Sequence, residues 1–160
     1  FIKLLVMDVD GTMTDGKINM GSSGEVFKSF DIKDGYGIHE ILPVNGIKSA
    51  IITGRVSKIV ENRALELEID YICQGVKDKK KKLYEIMEEN SISLEEVAYI
   101  GDDLIDRQCM EICGLAGCPA DAVKEVKEIS AFISRYIGGR GAVREFIEWV
   151  VEKNGGGRTK

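Results

Sequence analysis

Short apolar runs return along this chain at intervals far too long for hairpins. They are Ile2–Met7, Ile47–Ile52, Ile69–Cys73, Val97–Ile100 and Leu115–Cys118. Helix-like stretches lie between them: Val56–Glu68 and Lys79–Asn90 carry apolar residues at three- and four-residue spacing. Ser93–Glu96 makes a short acidic lead into the fourth run. Strands that alternate with helices pair in parallel, because each crossover helix returns the chain to the starting edge. The pattern therefore predicts an α/β fold: a Rossmann-like parallel sheet with helices on both faces. In such sheets the chemistry sits at the carboxyl ends of the strands.

The chain has 160 residues, 44% hydrophobic and 31% charged, enough for one domain with a sizeable core. We expect that domain to span residues 1–154, with 155–160 a disordered tail rich in glycine. The net charge of −5 argues against a nucleic-acid surface. No run of about 18 apolar residues is present, so we expect no membrane span. Nor does any segment read as a signal peptide. Cys73, Cys109, Cys113 and Cys118 form no CxxC pair, and the lone His39 is far from them in sequence. Reduced, mostly buried thiols in a cytoplasmic protein are the expectation, not a zinc site or disulfides.

One segment breaks the alternation. Thr14–Phe30 places apolar residues on either side of Gly21-Ser22-Ser23-Gly24, the pattern of a β-hairpin projecting from the first crossover. A two-stranded hairpin is marginal alone, so it should pack on something, such as another subunit.

The strand ends hold the polar residues. The first run stops at Asp8-Val9-Asp10-Gly11-Thr12, the second at Thr53-Gly54-Arg55, the fourth at Gly101-Asp102-Asp103, with Asp106 one helical turn on. Lys79 opens the helix after the third run. Asp10 before Gly11 fits a turn. Asp8, directly after four apolar residues, does not. Residues i and i+2 of a strand share a face, which would set two carboxylates roughly 6–7 Å apart at their Cα atoms. Such repulsion calls for compensation, and a hard cation held by oxygen ligands supplies it. A Thr-Gly pair, or a lysine at a helix start, is ordinary alone. Their meeting at one sheet edge fits phosphoryl transfer, which needs a nucleophile, a metal and cations around the spreading oxygen charge.

DVDGT, Thr53, Lys79 and GDDxxD, in that order, resemble the four motifs of the haloacid dehalogenase superfamily of phosphatases. The resemblance implies Asp8 as nucleophile and Asp10 as general acid/base. It implies Thr53, with Gly54 beside it, and Lys79 as phosphate ligands. Mg²⁺ would be held by Asp8, the carbonyl of Asp10 and Asp102, with Asp103 and Asp106 orienting those ligands. No cap-sized insert separates the motifs. With Asp34-Gly35-Tyr36-Gly37-Ile38, Thr53-Gly54-Arg55, Gln74-Gly75 and Gly138–Glu145, the whole chain is similar to the capless 3-deoxy-D-manno-octulosonate 8-phosphate phosphatases, a family of lipopolysaccharide biosynthesis. That similarity implies a homotetramer with the hairpins at its centre and neighbouring subunits near the site. A sugar acid brings a carboxylate as well as a phosphate, and Arg55 offers a bidentate fork for it, with Lys33 and Arg140 as further candidates.

Arg55 and the DGYG stretch favour the eight-carbon substrate over the nine-carbon ulosonate 9-phosphates, whose phosphatases tend to carry Glu at the position of Arg55. Two stretches depart from the family pattern, Arg107–Met110 and Gly117–Ala122, and neither touches a catalytic motif. A phospho-acceptor signalling module would also use an aspartate, an acidic pair, a hydroxyl and a lysine. Its acceptor, however, lies on a later strand, and it has no counterpart of Asp10. A non-catalytic tetramerising module is the remaining alternative, and the intact motif set argues against it.

Overall fold

The computed structural model describes residues 1–156. Six strands form one parallel sheet: β1 (Leu4–Met7), β4 (Lys48–Ile52), β5 (Tyr71–Cys73), β6 (Val97–Ile100), β7 (Leu115–Cys118) and β8 (Phe132–Ile133). Their spatial order is β5-β4-β1-β6-β7-β8, and every neighbouring pair is parallel. The order reverses between β1 and β6, so the crevice at their carboxyl ends is where a ligand is expected.

Alternation along each strand divides the apolar side chains between two cores. Leu5, Met7, Ile51, Ala98 and Ile100 face one side. Leu4, Val6, Ala50, Ile52, Val97 and Tyr99 face the other. The first side is covered by α1 (Ile32–Tyr36), a π-turn at Gly37–Ile41, α2 (Leu42–Val44), α3 (Lys58–Glu66) and α7 (Ala142–Lys153). The second is covered by α4 (Lys79–Asn90), α5 (Arg107–Ile112) and α6 (Lys124–Ile129). Val143, Phe146, Ile147 and Val150 of α7 are fully buried, each contributing about 1.5–3 kcal/mol of transfer free energy.

Local signals explain the boundaries. The helical pattern from Val56 begins at Lys58 because the Ser57 side chain accepts the Val60 N–H and caps the turn. Asp78 caps α4 by accepting the Lys81 N–H. No side chain of its own sequence neighbourhood caps α7. Asp34, far away in α1, reaches across to accept the Arg144 N–H at 2.8 Å. Burial raises the Asp34 pKa to about 6, an effect the Arg144 and Gly141 amides oppose.

β2 (Asn19–Gly21) and β3 (Gly24–Phe27) form the antiparallel hairpin, closed by Ser22-Ser23. The helical segment Ile32–Val44 and the edge strand β8 were not expected from periodicity. Of the tail expected to be disordered, 157–160 lie outside the described residues, while Gly155 and Gly156 both donate to the Glu152 carbonyl. The four cysteines are free thiols. Among the described residues no helix is long and apolar enough to cross a membrane.

Candidate active site

The site grows out of the switch point. The Asp8 amide donates to the Ile100 carbonyl, which carries the β1–β6 ladder one residue beyond β1. The chain then turns: the amides of Thr12, Met13 and Thr14 all donate to the Val9 carbonyl. Strand alternation thus stops at Met7, and the Asp8 and Asp10 side chains take different partners. Asp8 is buried and accepts a hydrogen bond from Lys79 Nζ at 3.0 Å. Asp10, at the rim, accepts from Lys28 Nζ of the hairpin at 2.6 Å.

Lys79 also donates to Asp106 Oδ1 at 2.8 Å. Its burial disfavours the ammonium, but Asp8 and Asp106 outweigh that and raise its pKa. Asp106, fully buried, accepts from Lys79 and the Tyr99 hydroxyl on Oδ1 and from the Asp102 and Asp103 amides on Oδ2. Its oxygens are saturated by the protein, so it orders the loop rather than offering a free ligand atom. Asp102 takes one hydrogen bond from the Thr12 hydroxyl at 3.1 Å.

Carboxylate oxygens of Asp8, Asp102 and Asp106 lie within 4.8 Å of one another. Burial, then Asp106, pushes the Asp8 pKa well above the carboxylate range, against the pull of Lys79. Burial, then Asp106, pushes Asp102 to about 6. Lys79 pairs with Asp8 and Asp106, and Asp102 stands beside them without that partner, a crowding of acids that a divalent cation relieves, and the donors are all hard oxygens. The residues therefore fit Mg²⁺. Gly11, at φ +89°, is required here, because a Cβ at that position would run into the Asp102 carboxylate.

Thr53 is buried at the end of β4, its amide donating to Cys73 and its carbonyl accepting from Val76. Gln74 fastens the two loops by accepting the Ser57 amide and donating to the Ser57 carbonyl. Gly54, Lys79, Lys77 and Lys80 line a cavity of about 510 Å³, with Leu104 and Ile105 as its apolar lip. Asp103 is exposed and caps the turn at Leu104. Arg55 extends toward the hairpin, 3.8 Å from Glu25. Lys33 and Arg140 line a different cavity, of about 350 Å³, with Arg135 and Arg144, so they do not join the Gly54–Lys79 cavity. The backbone beside Arg140 is nonetheless close: the Gly139 amide donates to the Thr12 carbonyl. Sequence reasoning did not find Thr12, Lys28 or Tyr99. Tyr99 carried a signal, since a phenol in an otherwise apolar buried strand must find a polar partner.

The sequence profile of the haloacid dehalogenase-like hydrolases matches residues 69–147. The chain is 44% identical over 154 residues to the 3-deoxy-D-manno-octulosonate 8-phosphate phosphatase KdsC of Escherichia coli K12, covering 96% of this chain and 81% of that protein. The crystal structure of the phosphatase of that name from Yersinia pestis superposes with a TM-score of 0.91 at 42% identity, over 99% of this chain and 87% of that one. That of the Moraxella catarrhalis phosphatase, in complex with magnesium ion, phosphate ion and KDO, superposes with a TM-score of 0.90 at 40% identity, over 94% and 86%. With its site at the switch point of such a sheet, the chain belongs to the haloacid dehalogenase-like hydrolases, in the family of the 3-deoxy-D-manno-octulosonate 8-phosphate phosphatases.

Proposed function

We propose that this protein is a Mg²⁺-dependent phosphatase that hydrolyses 3-deoxy-D-manno-octulosonate 8-phosphate to the free sugar acid and inorganic phosphate. The observation that carries this reading is the Asp8 carboxylate, held by Lys79 next to Asp102 and beside the cavity that Lys79 lines. Its support in sequence is the 44% identity to an enzyme named for that substrate.

Asp8, Asp102 and the Asp10 carbonyl would hold Mg²⁺, which supplies the charge neutralisation that a phosphate dianion needs beside a carboxylate. Lys79 and the Thr53-Gly54 turn bind the phosphoryl oxygens. An Asp8 oxygen attacks phosphorus, the bond from phosphorus to the sugar oxygen breaks, and Asp10 gives that oxygen its proton. Asp10 then takes a proton from water, whose oxygen attacks the aspartyl-phosphate. The bond to Asp8 breaks and phosphate leaves. Asp103 and Asp106 hold the loop that carries Asp102. Arg55 is the fork for the sugar carboxylate.

The reading extends to a cytoplasmic homotetramer. Four free thiols suit a reducing compartment. Ile18, Met20, Val26 and Phe27 are exposed on the hairpin, an apolar surface fit for burial between subunits. Phe27→Glu should then lower the mass measured by light scattering, and an unchanged mass would remove the hairpin from the contact.

The test of function is phosphate release with Mg²⁺ from the eight-carbon substrate, a nine-carbon ulosonate 9-phosphate and hexose phosphates, with and without EDTA. Preference for the first, lost with EDTA, is expected. Preference for the second keeps the mechanism and overturns the substrate. No release from any of them favours the phospho-acceptor or non-catalytic module.

A further inference from the structure

Lys28 follows β3 directly, beside exposed Phe27, yet its side chain is only 1% exposed. A lysine on a small hairpin ordinarily keeps its ammonium in water, and burial is tolerated only with partners. Lys28 has two: Asp10 Oδ1 at 2.6 Å and Glu25 Oε2 at 3.0 Å. Glu25 in turn faces Arg55 at 3.8 Å. Acids and bases alternate along Asp10, Lys28, Glu25 and Arg55, so the hairpin is tied to the end of β1 and to the loop after β4.

Asp10 needs such a tie. It stands at the rim and is followed by Gly11 in a left-handed conformation, and the buried knot around Lys79 does not hold its carboxylate. Among the described residues Lys28 is the side chain hydrogen-bonded to Asp10 Oδ1. We propose that Lys28 is a positioning residue, through which the hairpin fixes the Asp10 carboxylate for proton transfer to the departing sugar oxygen. The assignment rests on the reading of Asp10 as the acid/base of this phosphatase. A misplacement of about 1 Å in such a group costs up to 10²-fold in rate.

The test separates proton delivery from general damage by changing the leaving group. Nitrophenolate departs without a proton, and a sugar alkoxide does not. Wild type, Lys28→Met, Lys28→Arg and Glu25→Gln are followed through the first half-reaction by rapid quench, with the sugar acid 8-phosphate and with 4-nitrophenyl phosphate. Lys28→Met should slow phosphoryl transfer from the sugar phosphate about 10–100-fold and leave the nitrophenol burst within about twofold. KM for the sugar should stay within about threefold, Lys28→Arg should recover part of the loss, and light scattering should show an unchanged mass. Equal losses on both substrates, or none on either, overturn the assignment. If Lys28→Met changes the mass, Glu25→Gln decides: a severalfold loss in the burst rate at saturating sugar phosphate, with its KM within about threefold and the nitrophenol burst unchanged, supports the assignment, and anything else overturns it. A wild-type protein inactive on the sugar acid but active on another alkyl phosphate overturns the substrate reading alone, and the leaving-group comparison is then made on that phosphate.

Discussion

Two ion networks flank the same crevice and are built on opposite terms. Asp8, Asp102 and Asp106 around Lys79 are fixed by the ends of β1 and β6 and the start of α4, and their charges do not balance. Asp10, Lys28, Glu25 and Arg55 run along the hairpin side, and theirs do. The first network is costly to assemble, since burial opposes the Asp8 and Asp102 carboxylates and a single ammonium faces three acids. That crowding of acids is what fits the cluster to a divalent cation. The second network balances its own charges, and it ties down Asp10 and Arg55, the two groups that the proposed reaction takes from this side. Rigid backbone carries the imbalance, and the hairpin insertion supplies two of the four members of the balanced chain, Lys28 and Glu25.

The largest expected break in this contrast is Asp8→Asn, which removes the proposed nucleophile from the unbalanced side. Phosphate release should fall on the order of 10³-fold or more while circular dichroism stays native. Substantial residual turnover would take the nucleophile role from Asp8. Next is Lys79→Met, which leaves Asp8 and Asp106 buried without their cation. Urea unfolding should show a loss of about 3–5 kcal/mol, together with lost turnover. A loss below about 1 kcal/mol would mean that water reaches the knot.

The third prediction concerns pH. Asp102 and Asp34 titrate near 6 when folded, against an ordinary value of 3.8. The folded state therefore binds more protons than the unfolded chain between about 4 and 6. The stability this confers is present below about pH 4 and is lost as pH rises through 6. Metal-free protein should lose a few degrees of Tm, roughly, between pH 5 and 7. Mg²⁺ should offset the Asp102 share at pH 7, and Asp34→Asn should remove the share that metal leaves untouched. A flat Tm profile without metal would contradict both shifts.

The smallest stability effect belongs to the balanced side. Arg55→Glu breaks a half-exposed pair and should change unfolding by about 1 kcal/mol or less. It should still shift substrate ranking toward the nine-carbon ulosonate phosphate. An unchanged ranking would show that Arg55 does not read the sugar.

The sheet was legible because its strands are short, β-rich and bounded by polar turns. The runs Val97–Ile100 and Leu115–Cys118 are β6 and β7 to the residue. The segment Ile32–Val44 was not legible, because Gly35, Gly37 and Pro43 look like helix breakers. The glycines are there for close approach: a Cβ on Gly35 would meet the Arg63 guanidinium at 2.5 Å, and one on Gly37 would touch Ile147 at 3.0 Å. β8 has two residues, too few for any periodicity to show. In the candidate site, the acids at the strand ends and Lys79 were visible as residue types at an edge. The partner of Asp10 was not, since a lysine in a hairpin reads as surface until tertiary packing buries it. Asp106 was expected to orient neighbours, but half of its hydrogen bonds come from backbone amides, which sequence does not display.

The cap that Asp34 places on α7 joins residues 110 positions apart. Asn154 likewise grips the Ile2 amide and carbonyl across 152 positions. Such clasps are contacts of large sequence separation, the kind that raises contact order and slows folding. On the ribosome, α1 emerges with its carboxylate unanswered, and β1, the central strand, lacks β6 until two-thirds of these residues have been made. The crevice between them can form only once β6 has been made, and a chain cut short of α7 would leave Asp34 without the Arg144 amide.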